Sequence, residues 1–244
     1  MMKPVVHPDR LRGALWGMFV GDALAMPVHW YYDVTALRRD FGTVRDYQTP
    51  SHLHPNSIMP LSNTGKAGRG SHQGEVVGRV ILHGKKHLWG QPNRHYHYGL
   101  QSGENTLNLL CVRVLLRTMS ETGCYDSGDF LRAYIAFMTT PDSHQDTYAE
   151  SYHHVIGGLL SPACYIDHSF PAVLYLAARY SDDFEAALVA NTNVGGDNCH
   201  RGALLGAILG GALGYQAIPE RWIRGLRSRA ELDEEIESFV ARLA

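Results

Sequence analysis

The sequence Asn193-Val194-Gly195-Gly196-Asp197-Asn198-Cys199-His200 joins a polar glycine turn to an apolar segment, Gly202-Ala-Leu-Leu-Gly206-Ala-Ile-Leu-Gly210-Gly-Ala-Leu-Gly214, that has glycine at every fourth position. Two adjacent glycines allow backbone conformations that are closed to other residues. A helix that begins after this turn presents Asp197, Cys199 and His200 at its positive end, where anions and phosphates bind well. The pattern predicts a ligand site at the start of a helix that another helix can approach closely.

A second glycine pattern lies near the start of the chain. The segment from Asp9 to Ala25 is typical of a helix, with Asp9 predicted as its N-cap and Pro27 closing it. Its glycines at positions 13, 17 and 21 also recur every four residues. Each interior glycine costs a helix about 0.5–1 kcal/mol relative to alanine, so we expect a packing gain in return. The two patterns predict that these helices pack directly on each other and bring their ends to one site.

The composition is that of an ordinary globular protein, with 45% hydrophobic residues, 19% charged residues and a net charge of -2. This weak charge argues against broad electrostatic binding to nucleic acid or to an acidic membrane. No apolar run reaches the roughly 20 residues that span a bilayer. The first twelve residues lack the apolar core of a signal peptide and the cysteines form no CxxC pair, so we expect a reduced, cytoplasmic setting. The cysteines are Cys111, Cys124, Cys164 and Cys199.

Apolar periodicity along the rest of the chain predicts helices and very few strands. Residues 42–102 are rich in Gly, Pro, Ser, Asn and His and predict a long irregular region. We therefore predict one compact, all-α, multi-helix domain over residues 1–244, with no linker between separate domains. After the first helix, the predicted helices are Glu104–Arg117, with Leu107, Leu110, Cys111, Val114 and Leu115 as its buried stripe, Asp129–Met138, Pro171–Tyr180, Asp183–Thr192, His200–Tyr215 and Ala230–Leu243.

Histidine is unusually frequent, with 14 residues in the chain. For each histidine group, metal binding and ordinary placement at a surface or helix end both stay open. Two interpretations also stay open for the basic, glycine-rich segment from Thr64 to Ser71: a phosphate-binding loop or a surface loop. No strand precedes it, and a phosphate-binding glycine pattern usually follows a strand. The histidines gather as His52/His54, His83/His87, His95/His97 and His144/His153/His154.

Three short segments carry a family resemblance. They are residues 13–27, Gly-Ala-Leu-Trp-Gly-Met-Phe-Val-Gly-Asp-Ala-Leu-Ala-Met-Pro, residues 103–106, Gly-Glu-Asn-Thr, and residues 190–197, Ala-Asn-Thr-Asn-Val-Gly-Gly-Asp. In this order they resemble the N-terminal, third and C-terminal signatures of the ADP-ribosylglycohydrolase family. The resemblance implies an all-helical fold around two magnesium ions. It also implies cleavage of the N- or O-glycosidic bond that joins ADP-ribose to an acceptor.

The chain departs from the family's pattern at several of the positions that hold the metals. Where the family has a Thr-Asp-Asp run, this chain has Gly103, Glu104 and Asn105. Where the family has an acidic residue soon after the first helix, this chain has His29. Magnesium prefers oxygen ligands in octahedral geometry, and these changes remove carboxylates from the expected ligand set.

The glycine turn keeps one family carboxylate and changes its neighbours. Asp197 matches the family, whereas Cys199 and His200 stand where the family has aspartate and threonine. The cofactor we expect is a divalent metal: magnesium by resemblance, and a transition metal such as zinc or iron from the mixed nitrogen, sulfur and oxygen ligands. The predicted metal ligands are Glu104, Asn105, Asp197, Cys199 and His200, and the predicted catalytic residues are His29, Glu104 and Asp197.

The middle of the chain is shorter than in the family. The interval from Asn105 to Asp197 is reduced, and the family's Asn-Gly motif leading to a Met-Arg step has no counterpart. We expect a shortened region around residues 145–170. The substrate pocket is then open, differently built, or completed by a second subunit in a homo-oligomer.

Two functions from different classes stay open at this point. The first is a hydrolase that acts on a small-molecule or ADP-ribosylated substrate by metal-assisted attack of water. The second is a non-catalytic binding or structural protein on the same fold, because lost carboxylates and a short middle are what a loss of catalysis leaves. Two further interpretations are attack by Cys199 with His29 as its base, and a structural cluster in which Asp197 accepts backbone N–H bonds from the following helix.

Overall fold

Helices form the regular structure of the described residues, which are 7–55, 86–88, 91, 93–144 and 166–243 of the computed structural model. Outside the helices, these residues contain one isolated antiparallel bridge, between Leu53 and Arg94. The all-α prediction is therefore confirmed. The helices are α1 (Pro8–Ala25), α2 (Val34–Phe41), α3 (Leu107–Thr122), α4 (Ser127–Thr139), α5 (Ile166–Arg179), α6 (Phe184–Asn193), α7 (Asn198–Leu213), α8 (Glu220–Gly225) and α9 (Arg229–Leu243), with 3-10 turns at Met26–Val28, Lys86–Leu88 and Tyr215–Ala217.

Helices α1 and α7 lie against each other at the centre of the fold with their backbones in direct contact. A β-carbon on Gly17 would lie 2.1 Å from the carbonyl oxygen of Gly206, and one on Gly21 would lie 2.0 Å from that of Gly202. Only glycine permits so close an approach. The pairing runs antiparallel, so the end of α1 meets the start of α7. The predicted contact between the two glycine patterns is confirmed.

Large apolar side chains hold this central pair in place. Trp16 and Phe19 of α1 are buried together with Leu205 of α7, Phe184 of α6 and Trp222 of α8 in one core cluster. Burying a side chain of this size contributes about 1.5–3 kcal/mol. The core therefore fixes the α1–α7 junction, at which the candidate site is found.

The start of α3 is later than the sequence predicted. The helix begins at Leu107 and not at Glu104. Gly103 has a φ of 78°, and Thr106 is extended as the N-cap. The chain therefore turns before it becomes helical, and Glu104 lies in the turn.

The prediction of the buried face of α3 is also wrong in part. Leu107 and Val114 are buried as predicted, but Leu109 and Leu116 are buried with them. The predicted members Leu110, Cys111 and Leu115 are half-buried. The helix contacts both α4 and α9, and two neighbours spread partial burial over more than one stripe.

Other helix boundaries differ for local reasons. Helix α1 begins at Pro8 with His7 as its N-cap, so Asp9 lies in the first turn and is not the cap. Proline suits that position because its missing N–H would have no helical partner. Helices α2 and α8 were not predicted, since segments of 8 and 6 residues are too short to show an apolar period.

No helix among the described residues is long and apolar enough to cross a membrane. Several predictions fall on residues outside the described ranges. They concern the Thr64–Ser71 loop, His83, His153, His154, Cys164 and residues 145–165 of the shortened middle. The single-domain prediction for residues 1–244 stays a prediction.

Candidate metal and active site

The glycine turn is joined to the segment that follows α1 by two backbone hydrogen bonds. Trp30 N–H donates to the carbonyl of Gly196 at 2.8 Å, and Gly196 N–H donates to the carbonyl of Tyr31 at 2.7 Å. Gly195 has a φ of 67°, and a β-carbon there would lie 1.9 Å from the Tyr31 oxygen. The side chain of Arg201 donates to the Gly195 carbonyl from the other side. Gly196 likewise has a positive φ, of 69°, so the turn needs both of its glycines, and it fixes the residues that flank it.

The two backbone hydrogen bonds at the glycine turn bring together two imidazoles and a carboxylate. Oδ1 of Asp197 accepts from Nε2 of His29 at 2.9 Å and from Nδ1 of His200 at 2.6 Å. Asn108, in the first turn of α3, contacts Nε2 of His200 through its amide nitrogen at 2.6 Å. The ligand atoms of His29, Asp197 and His200 all lie within 4.8 Å of one another. We call this set the outer cluster.

The second oxygen of Asp197 lacks a hydrogen-bonding partner. Oδ2 is buried and has no partner within the described residues. A buried carboxylate oxygen without a partner is costly. A cation bound beside Oδ2 would satisfy this oxygen.

The other ring nitrogen of His29 contacts a further histidine. Nδ1 of His29 lies 2.7 Å from Nε2 of His97. Because the Asp197 carboxylate can only accept, His29 carries its proton on Nε2, and the proton between the two rings then belongs to Nε2 of His97. The rings are thus connected by hydrogen bonds that are directed toward Asp197.

A thiol completes a second group on the inner side of His29. The ligand atoms of His29, His97 and Cys199 lie within 4.8 Å of one another, and all three residues are buried. Cys199 is fully buried and packs with Met26 and Leu100 in a small apolar cluster. We call His29, His97 and Cys199 the inner cluster. Its burial argues against attack of the Cys199 thiol on a substrate.

Burial and hydrogen bonding set the charges of the outer cluster. Burial lowers the pKa of His29 to about 3, although the hydrogen bond to Asp197 opposes the shift. Burial alone would raise the pKa of Asp197, but the hydrogen bonds from His200 and His29 outweigh it, and the pKa lies well below the usual range. At neutral pH, His29 is therefore neutral and Asp197 is ionised.

Two more buried histidines lie behind this site. His54 stacks on Tyr31 with ring centroids 3.6 Å apart, and His95 donates its backbone N–H to the His52 carbonyl at 3.2 Å. Burial lowers the pKa of His54 to about 4 and that of His95 well below its usual value. Nδ1 of His95 accepts the backbone N–H of His97 at 3.1 Å. These imidazoles are neutral core groups that position the loop carrying His97.

Asp22 is a buried carboxylate that ties α1 to the start of α3. Its Oδ2 accepts from the Asn105 amide at 2.9 Å and from Thr106 N–H at 2.8 Å, and its Oδ1 accepts from the Thr106 hydroxyl at 2.8 Å. Asn105 also donates to the carbonyl of Phe19 at 2.8 Å. Asn105, predicted as a metal ligand, is thus occupied with anchoring α3.

Glu104 lies apart from both clusters. Its carboxylate accepts the backbone N–H of Gln101 at 2.5 Å and lies 3.8 Å from Arg227. It belongs to neither group of potential metal ligands in the described part of the chain. Of the predicted site residues, the structure therefore brings together His29, Asp197, Cys199 and His200, and leaves Glu104 and Asn105 aside.

The structural alternative for Asp197 is wrong in its detail. The side chain of Asp197 makes no capping bond to α7; its Oδ1 accepts from the two imidazoles instead. Asn198 does support a helix end, since its amide donates to the Thr192 carbonyl at 3.1 Å.

Three participating residues were missed by sequence reasoning. His97 was noted only as half of a pair, Asp22 only as part of a signature, and Asn108 not at all. Asn108 lies near the Gly-Glu-Asn-Thr segment, on the face that α3 presents to α7. The position of Asn108 facing α7 could be predicted only once the start of α3 was known.

Magnesium does not fit the two clusters. It prefers an octahedron of oxygen ligands, and among these residues only Asp197 offers oxygen. Both oxygens of Asp22 already accept hydrogen bonds. Imidazole, thiol and carboxylate together are the donors that zinc, iron and copper take in proteins.

The fold is helical, and potential nitrogen, oxygen and sulfur ligands are grouped at the start of α7. A family model described as ADP-ribosylglycohydrolase matches residues 2–157 and 144–244. The chain belongs to the ADP-ribosylglycohydrolase family.

Two individual proteins extend this comparison. A solved structure described as an ADP-ribosylglycohydrolase-related protein complex has a TM-score of 0.57 and 18% identity, covering 97% of this chain and 99% of that one. This likeness supports the fold. An uncharacterized protein of Archaeoglobus fulgidus is 50% identical over 52 residues, which are 21% of this chain and 16% of that protein.

Proposed function

We propose that the protein is a hydrolase that cleaves a glycosidic bond of an ADP-ribosyl or related substrate, assisted by a transition-metal ion held by His29, Asp197 and His200. The observation that carries this proposal is the outer cluster itself. One oxygen of Asp197 is shared by two imidazoles, and the other is buried without a partner in the described residues. The cluster lies at the glycine turn that the family signature shares.

The charges of the outer cluster favour a cation over a general base. Asp197 stays ionised at neutral pH and His29 stays neutral, so the set offers a negative charge and, once a metal moves the His29 proton from Nε2 to Nδ1, a nitrogen lone pair beside it. A carboxylate whose pKa lies far below neutrality is a weak base. Asp197 therefore serves better as a ligand than as the group that takes a proton from water.

A bound zinc-like ion would lower the pKa of a coordinated water toward neutrality and polarise the leaving group. The residues determine where this chemistry takes place. The side chain of His29 is fully buried, whereas that of His200 is 34% exposed. The site thus has a closed inner wall and a solvent-facing side, where substrate and water can enter.

The start of α7 suits an anionic substrate. The backbone amides at the beginning of a 16-residue helix favour negative groups such as a diphosphate. This supports ADP-ribosyl compounds as the substrate class, in agreement with the family. Glu104 has no role in this proposal, because it faces Gln101 and Arg227.

The test is release of ADP-ribose. Peptides carrying ADP-ribose on arginine or on serine are incubated with metal-free protein, and with protein supplied with zinc, iron(II) or magnesium. Free ADP-ribose is measured by chromatography. We expect release with a transition metal and a loss of about 100-fold or more in Asp197→Asn. His7→Ala, an exposed histidine outside both clusters, is the matched control.

Two outcomes would overturn the proposal. One is release that depends on magnesium and survives in Asp197→Asn. The other is no release with any metal while ADP-ribose still binds, which would favour a non-catalytic binding protein.

A further inference from the structure

We propose that the inner cluster, His29, His97 and Cys199, is a separate binding site for copper(I). The proposal rests on the closeness of one thiol and two imidazoles, whose ligand atoms lie within 4.8 Å of one another. All three residues are at most 1% exposed. Two histidines and one cysteine in a trigonal set are the donors of protein copper sites, and soft thiolate ligands suit copper(I) as well as zinc and iron–sulfur clusters.

The charge balance of a dry site favours a monovalent ion. Binding converts the Cys199 thiol to a thiolate and releases its proton to solvent. A copper(I) ion and a thiolate then sum to zero beside two neutral imidazoles. A zinc ion would leave one net positive charge on the three ligands themselves, and the nearest compensating charge, on Asp197, lies on the far side of the His29 ring.

Apolar packing around Cys199 supports the same ion. Met26, Ala25 and Leu100 are buried with it. These side chains exclude water, and the thioether of Met26 belongs to the soft class of donors that copper(I) accepts. A closed three-ligand site with an apolar lining does not suit an ion that must keep bound water.

Binding also requires the proton on Nε2 of His97 to move to Nδ1 of that ring, which frees Nε2 as a ligand. The geometry requires one small adjustment. Nδ1 of His29 and Nε2 of His97 now share a hydrogen bond of 2.7 Å. Metal–nitrogen bonds of about 2 Å in a trigonal arrangement separate two nitrogens by about 3.5 Å. At metal–nitrogen bond lengths of about 2 Å, the two rings must therefore move apart by less than 1 Å. Nε2–H of His29 can keep its hydrogen bond to Asp197. A carboxylate behind a ligating histidine is a common support of metal sites.

The two clusters share the ring of His29 but use different nitrogens. The outer cluster needs the lone pair of Nε2, and the inner cluster needs that of Nδ1. A neutral imidazole has one such lone pair. The copper(I) ion and the ion of the proposed hydrolase therefore exclude each other; this consequence rests on the proposed function, whereas the copper site itself does not.

The experiment is a titration of metal-free protein with copper(I) under anaerobic, reducing conditions, in competition with bicinchoninate, a copper(I) chelator. Four proteins are compared: wild type, Cys199→Ser, His200→Ala and Cys124→Ser, whose exposed thiol lies outside both clusters. We expect one equivalent bound by wild type, His200→Ala and Cys124→Ser. Cys199→Ser should bind at least about 100-fold more weakly. Zinc titration of Cys199→Ser shows whether that variant keeps a folded outer cluster.

The results separate this proposal from the hydrolase. Copper(I) binding that is lost in Cys199→Ser and kept in His200→Ala supports the inner site, whatever the hydrolysis assay shows. Equal copper(I) affinity in Cys199→Ser and wild type would overturn it. So would a Cys199-dependent site that takes zinc and not copper(I).

Discussion

The carbonyl oxygen of Gly13 lies 1.9 Å from the position that a β-carbon on Gly210 would take. The next residue of α7 is different: a β-carbon on Gly211 would meet the β-carbon of Ala14 at 3.4 Å, an ordinary contact. Two adjacent glycines of one helix thus face different surroundings. The first lies on the contact between α1 and α7, and the second beside it.

Alanine at these two positions should therefore have different effects on stability. Gly210→Ala should lower the free energy of unfolding by about 3 kcal/mol, because two backbones must separate. Gly211→Ala should leave it unchanged or raise it by about 0.5–1 kcal/mol through better helix propensity. Urea unfolding followed by circular dichroism measures both. Similar effects at the two positions would contradict the direct contact of α1 and α7.

Stability should fall as the solution becomes mildly acidic. Burial lowers the pKa of His29 to about 3 and that of His54 to about 4. The unfolded chain takes up these protons below about pH 6.5, whereas the folded chain does not. The stability from neutral histidines is complete above that pH and is lost as the pH falls toward 4, by up to about 1.4 kcal/mol per unit for His29.

Urea midpoints between pH 7 and pH 5, measured with a chelator present, test this dependence. His54→Phe keeps a ring on Tyr31 and should show a shallower slope, while the exposed His7→Ala should match wild type. A midpoint that is independent of pH over this range would refute the neutral, buried histidines.

Asn108 should control the metal affinity of the outer cluster. Its amide nitrogen now faces Nε2 of His200, whose Nδ1 faces Asp197. A metal on Nδ1 moves the proton to Nε2, so that nitrogen must donate and its partner must accept. Asn108→Asp accepts in either orientation and should raise zinc affinity about tenfold, whereas Asn108→Leu should lower it about tenfold.

Zinc competition with a chromophoric chelator measures these affinities, with Glu121→Gln on the exposed side of α3 as the control. Tighter binding in Asn108→Leu than in Asn108→Asp would show that Asn108 does not support a metal-bound His200.

Asp22 should matter through its accepting oxygens more than through its charge. It accepts three hydrogen bonds from Asn105 and Thr106, and burial raises its pKa. Asp22→Ala leaves three buried donors without a partner and should cost about 3 kcal/mol or more. In Asp22→Asn the amide oxygen can still accept two hydrogen bonds, and the amide nitrogen can donate to the Thr106 hydroxyl. The loss of unfolding free energy should therefore be near 1 kcal/mol, about one hydrogen bond. Equal losses of unfolding free energy in the two variants would contradict this ordering.

The sequence predicted the parts of this structure that local patterns encode. Glycine spacing identified the α1–α7 contact, and the Gly195-Gly196 turn located Asp197 and His200. The contribution of His97 was hidden, because it depends on a loop held by the Leu53–Arg94 bridge, far along the chain from His29. The family resemblance placed Glu104 among the ligands, but Glu104 lies in the turn that begins at Gln101, and its carboxylate is 3.8 Å from Arg227. Side-chain direction in such a turn has no periodic signal.

The metal content of the purified, tag-free protein tests the central claim most directly. Plasma mass spectrometry is applied to wild type, Asp197→Asn and His7→Ala after dialysis against excess magnesium. The account predicts a transition metal retained by wild type and His7→Ala, in one equivalent at the outer cluster, and lost from Asp197→Asn. Magnesium alone in all three proteins, or a transition metal other than copper held equally by Asp197→Asn, would contradict it.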